Sequence, residues 1–149
     1  MERLTYLKEF ILVALAALGS GVSAMLGGWD GALQVLVGFM AADYLTGLVV
    51  AGVFRRSGKS ETGALDSRAG FQGLARKCGI LLLVYLGVLL DRATGDTVIR
   101  TAICLFFTAN EGLSILENLG LMGVPYPAFL KNTLEALRER GEGSDGSVQ

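Results

Sequence analysis

The sequence predicts an all-α, polytopic membrane protein: four transmembrane helices followed by a short amphipathic C-terminal helix. Three observations predict it. Of 149 residues, 52% are hydrophobic and 18% charged, with a mean hydropathy of +0.52, where a soluble domain carries about 25% charged residues. The apolar residues fall into segments long enough for a bilayer core about 30 Å thick, which needs about 20 residues of helix. The basic residues concentrate in alternate connections between those segments.

The first span is placed at about 10–29, twenty residues without a charge, with Tyr6 and Trp29 at its ends. Amphipathic rings favour the headgroup region. The second, at about 31–54, holds a single charge, Asp43, near its middle. The third, at about 74–91, has an uncharged stretch of thirteen residues, 78–90. That reaches only about 20 Å as a helix, so the stems of Arg76 and Lys77 complete it by snorkelling. The fourth, at about 97–119, is apolar but interrupted by Arg100, Glu111 and Glu117. Gly123, Pro125 and Pro127 then break the chain. A C-terminal helix over 127–140 carries Phe129, Leu130, Leu134 and Leu137 on one face, and Gly141 reads as its stop. Residues 1–140 thus form one membrane domain, and the Gly/Ser/acidic tail 141–149 reads as disordered.

Composition removes several function classes. With no histidine, zinc proteolysis and Ser-His-Asp or Cys-His catalysis lose their usual base. Cys78 and Cys104 alone neither close a zinc site nor build a disulfide framework. The net charge of -1 gives wholesale nucleic-acid binding no electrostatic basis. Gly58-Lys59-Ser60 is not a phosphate-binding loop, because position 53 is valine where the full motif requires glycine. The expectation is a non-enzymatic chain without cofactor or metal.

Charge sets the expected topology. Arg3 and Lys8 lie before the first span; Arg55, Arg56, Lys59, Arg68, Arg76 and Lys77 between the second and third; Lys131, Arg138 and Arg140 after the fourth. Four spans put these eleven of the thirteen basic residues on one side and leave only Arg92 and Arg100 on the other. The positive-inside rule then reads N-in and C-in. A three-span alternative would put the C-terminal basic cluster outside and is the weaker reading. Arg3, Lys8, the apolar run 10–18 and Val22-Ser23-Ala24 also resemble a secretory leader, but a second span begins within a few residues of Ala24.

The polar residues inside the spans are the candidate functional residues, since an acid at the bilayer centre costs about 2.5–3.5 kcal/mol and avoids lipid. Asp43, Thr46 and Gly47 share one helix face. In the fourth span, Asn110, Ser114 and Glu117, together with Glu111, Ser114 and Asn118, read as one polar face opposite Leu113 and Leu116. These residues are expected to line a pore or an oligomer contact; the alternative is that Asp43 merely holds the bundle together and that the fourth-span face is solvated at the interface. Small-xxx-small spacings at Ala17/Gly21, Gly38/Ala42 and Gly47/Ala51 suit close helix packing, within one protomer or between protomers. The basic loop 55–77 could meet anionic lipid, though topology alone accounts for it.

The order of these motifs resembles the toxin-secretion/phage-lysis holin family. The carrying residues are Asp43-Tyr44-Leu45-Thr46-Gly47 and Ser67-Arg68-Ala69-Gly70-Phe71-Gln72-Gly73-Leu74-Ala75-Arg76-Lys77, followed by Asp91. Asn110-Glu111, Ser114-Ile115-Leu116-Glu117-Asn118, Leu119-Gly120 and the Gly123-Val124-Pro125-Tyr126-Pro127 break complete the pattern. The resemblance implies a small pore- or lesion-forming protein that oligomerises in the bacterial inner membrane. Its partners would be membrane lipids and further copies of itself. An endolysin, or a toxin, would leave through it as cargo without stable binding. The basic tail of many holins is replaced by acidic 141–149, so the resemblance does not extend to tail-to-lipid timing. A rival from another class is a small transporter or ion-channel subunit, whose pathway buried carboxylates also mark.

Overall fold

A computed structural model describes residues 1–58 and 66–142. The described residues form α1 (Glu2–Met25), α2 (Gly31–Val49), a π-helical turn (Val50–Phe54), α3 (Ser67–Thr94), α4 (Val98–Leu121) and α5 (Ala128–Glu142), with no strand among them. The four spanning-length apolar segments are α1, α2 with its π turn, α3 and α4. α5 is the short amphipathic helix that follows them.

Local chemistry sets the ends. Asp30 caps α2, its Oδ1 accepting from Leu33 N at 3.0 Å. Asp66 caps α3 through Arg68 N at 2.9 Å. That cap starts α3 at Ser67, seven residues before the expected 74. Gly95 ends it at φ 74°, a conformation that favours glycine. α1 begins at Glu2 and stops at Met25, so Trp29 lies in the α1–α2 connection and not on the first span. Gly141, expected to stop the last helix, lies inside it, and α5 runs on through Glu142. Its backbone packs on Phe106, whose nearest atoms would stand 2.9 Å from a Cβ at that position. The expected disorder of the tail therefore fails at 141–142; 143–149, like Lys59, lie outside the described residues.

α4 is the central element, packing on α2, α3 and α5, whereas α2 and α3 touch each other little. The apolar core joins Leu33, Leu36 and Met40 of α2, Ile80 and Val84 of α3, and Cys104 of α4, with Leu26 beside them. α1 has no buried residue and stands outside this core. In water that surface would be untenable; in a bilayer lipid covers it.

The close approach of α3 to α4 depends on Gly87. A Cβ there would sit 2.8 Å from Ile103 Cδ1 and 2.9 Å from Arg100 Cα, which is backbone and cannot turn aside. Gly87→Ala is expected to cost about 1–3 kcal/mol through overpacking, read as a lower melting temperature in detergent. Gly38→Ala, whose added Cβ would meet nothing within 4 Å, should be neutral within the same chain.

Candidate functional site

Moving along the bundle from the apolar core, the layer formed by α2, α3 and α4 becomes polar. Asp43 projects from α2, Lys77 from α3 and Glu111 from α4, and all three are buried, at 6%, 8% and 6% exposure. The Lys77 ammonium donates to Asp43 Oδ2 at 2.8 Å and is in direct contact with Glu111 Oε2. Asn118, two turns along α4 from Glu111, donates to Asp43 Oδ1 at 3.3 Å and to Thr46 Oγ1 at 2.9 Å. The Thr46 hydroxyl turns back on the Ala42 carbonyl at 2.9 Å. Two carboxylates thus share one ammonium, and the remaining acceptor positions on Asp43 are met by the Asn118 amide. A buried charge is tolerable only with such a partner set.

A cavity of about 120 Å³ adjoins this cluster, with Tyr44, Gly70, Gly73, Arg76 and Ser114 among its lining. Tyr44 lies beside Gly70 and Gly73: a Cβ at Gly70 would stand 3.7 Å from its hydroxyl, and one at Gly73 3.8 Å from its ring.

The opposite end of the bundle has its own network. Arg100 of α4 is buried and donates to the Leu26 carbonyl at 2.6 Å, the Gly28 carbonyl at 3.1 Å, and both Asp30 oxygens at 2.5 and 3.1 Å. Gly27, at φ 87°, leaves room for this guanidinium: a Cβ would stand 2.8 Å from Arg100 Nε. Asp91, at the end of α3, accepts from the backbone N–H groups of Ile99 and Arg100 at 2.9 and 3.0 Å. It satisfies two of the open donors of the α4 N-terminus. The Arg100 hydrogen bond and the Leu33 N–H hold the Asp30 carboxyl below its usual 3.8. A lowered folded pKa favours the charged form, so the contribution is present above about pH 3.8 and is lost as pH falls through the lowered value. The wild type should lose melting temperature there relative to its neutral-pH value by more than Asp30→Asn does; equal acid sensitivity would show that this pair does not contribute.

The expected polar residues are therefore distributed, not gathered on one face. Asp43, Thr46, Glu111 and Asn118 meet around Lys77, with Gly47 packed 3.8 Å from Asn118. Asn110 and Glu117 instead face a second cavity between α4 and α5, and Ser114 borders both. Leu116, expected opposite the polar face, is buried. Lys77, expected to snorkel with the basic loop, is instead the counter-ion of the cluster; Arg55, Arg56, Arg68 and Arg76 are exposed. Of the small residues, Ala51 is buried and Ala42 half-buried, but Ala17, Gly21 and Gly38 are exposed. The tight glycine contacts fall elsewhere, at Gly87, Gly112 and Gly141. Asp30 could have been found from sequence, since an aspartate directly before an apolar helical run is a capping signal. Its pairing with Arg100, seventy positions away, has no local signal.

Four spanning-length helices, three of which bring together a buried, internally paired ionic cluster, define a polytopic helical membrane protein. Residues 20–139 match the profile of the bacteriophage holin family, and the chain belongs to that family. It is 38% identical over 130 residues to an uncharacterised protein of Clostridium acetobutylicum, covering 86% of this chain and 98% of that one. An uncharacterised 14.9 kDa protein of Clostridium perfringens is 36% identical, over 89% and 96% of the two chains. A protein of Bacillus phage phi105 named a probable holin is 32% identical over 106 residues, 70% of this chain and 73% of the phage protein. No solved structure matches.

Proposed function

We propose that this protein is a holin that oligomerises in the bacterial inner membrane and opens lesions there, without catalysis, releasing a cytoplasmic endolysin or a toxin. The observation that carries the reading is the holin-family match over residues 20–139. The likeness to the probable holin of phage phi105 supports it. The orientation is N-in and C-in, supported by the eleven basic residues that four spans gather on one side. Exposed Ala17, Gly21 and Gly38 offer contact faces between copies. Asn110, Ser114 and Glu117, set along α4 beneath α5, are positioned to face water once protomers rearrange. Asp43 and Glu111, released from Lys77, would join them.

Inducible expression in bacteria tests this, with and without a cytoplasmic endolysin. Rapid lysis only in the paired case is expected. Purified protein should also release trapped dye and protein from sealed vesicles. Vesicles that retain both, at every protein-to-lipid ratio, would overturn the lesion reading. If Asp43→Leu and Glu111→Leu both leave lysis timing and oligomer size unchanged, the polar residues do not act as proposed.

A further inference from the structure

The second cavity, about 330 Å³ between α4 and α5, has no part in the ionic cluster around Lys77. Glu117 and Asn110 line it from α4, Lys131, Glu135 and Arg138 from α5, and Tyr126 from the connection. Leu134 against Gly112 and Phe106 against Gly141 press α5 onto α4 and hold its walls.

Its basic residues pair only loosely within α5. The Lys131 ammonium stands 3.8 Å from Glu135, and Arg138 Nε stands 4.0 Å from Glu142. Arg138 Nε is shut off from solvent yet has no hydrogen-bond partner. The side chain as a whole is 40% exposed, so a ligand can reach the guanidinium, and the Nε donor is the part that gains most from an acceptor.

Position suggests the acceptor. Seventeen residues of helix separate Arg100 from Glu117, about 26 Å, close to the thickness of a hydrocarbon core of about 30 Å. Glu117 therefore lies near one membrane interface when Arg100 lies near the other. The cavity runs inward from there toward Asn110 and Arg138. A cation below the interface is relieved by drawing phosphate down to it, and phosphodiester is the anion the interface supplies. Arg138 and Lys131 are the residue types that bind it. Glu117 and Glu135 on the same walls bring the four charges to a formal balance, which suits a ligand carrying both an anion and an ammonium.

We propose that the α4–α5 cavity binds the headgroup of a zwitterionic aminophospholipid of the phosphatidylethanolamine type. Its phosphate accepts from Arg138 and Lys131, and its primary ammonium donates to Glu117 and Glu135. Only the docked form of α5 makes the site, so the lipid holds α5 on α4.

Native mass spectrometry of the full chain, with phosphatidylethanolamine, phosphatidylglycerol and phosphatidylcholine of identical acyl chains, tests this. Phosphatidylethanolamine should be retained about tenfold over the others, the factor that one charge-assisted hydrogen bond supplies. Arg138→Ala and Glu117→Gln should each remove the preference. If Arg138→Ala undocks α5, Glu117→Gln, which lies on α4, still decides the matter. Equal retention of all three lipids overturns the proposal, as does a preference for both primary-ammonium and glycerol headgroups that ignores Glu117. Glycerophosphoethanolamine, the same headgroup without chains, should fail to displace the lipid; displacement at equal concentration would make the ligand a soluble phosphodiester and overturn the lipid assignment. None of these readouts involves lysis or vesicle release.

Discussion

Lys77→Met is expected to be the most damaging single substitution in the bundle, costing about 3–5 kcal/mol. Lys77 is the only cation in contact with the buried Asp43 and Glu111 carboxylates among the described residues. Without it, two acids stand buried beside each other, with Asn118 offering an amide to Asp43 alone. The measurement is a thermal melt in detergent, following reaction of a thiol dye with buried Cys104 in a Cys78→Ser background. The single variant should expose Cys104 at far lower temperature than the parent. Lys77→Met combined with Asp43→Asn and Glu111→Gln should recover most of that loss, because a neutral set of similar shape removes the unpaired charge. A single variant that melts with the parent would show that the ion cluster carries no structural weight.

Arg100→Met is expected to cost about 2–3 kcal/mol, the range of hydrogen bonds made by a charged group. Its consequence is local to the α1–α2 connection. Arg100 holds two carbonyls and a carboxylate there, while α1 has no buried residue of its own. The variant should therefore free α1 while the α2–α3–α4 core stays folded. Hydrogen exchange should rise sharply across residues 26–30 and stay unchanged around Leu36 and Val84. Arg100→Lys should restore only part of the protection, since one ammonium cannot make the planar fork to Asp30 and two carbonyls together. Uniform exchange across the whole chain would instead make Arg100 a general core residue.

Much of the architecture is legible in the sequence, for a reason that can be traced residue by residue. The existence of the first span, though not its bounds, could be read because lipid demands an unbroken apolar length and leaves few alternatives. Asp43 and Glu111 stood out because acids are rare in such segments. The candidate site was legible only as a set of suspects. That Asn118 turns toward α2 and Glu111 toward Lys77 of α3, while Asn110 and Glu117 turn toward α5, depends on where three other helices lie. Helical spacing shows which residues share a face; it does not show which neighbour that face meets.

By itself the sequence determined the class: all-helical, four spans, an amphipathic helix after them, and basic residues concentrated in alternate connections. Those follow from transfer free energies, which each segment carries independently of the others. The tertiary structure alone decided the pairings. It turned Lys77 from a loop cation into the counter-ion of Asp43 and Glu111, joined Arg100 to the α1–α2 turn, and used Gly87, Gly112 and Gly141 for close helix-to-helix contacts. These depend on distances between residues 13 to 75 positions apart, which no local free energy encodes and only packing of one helix against another supplies.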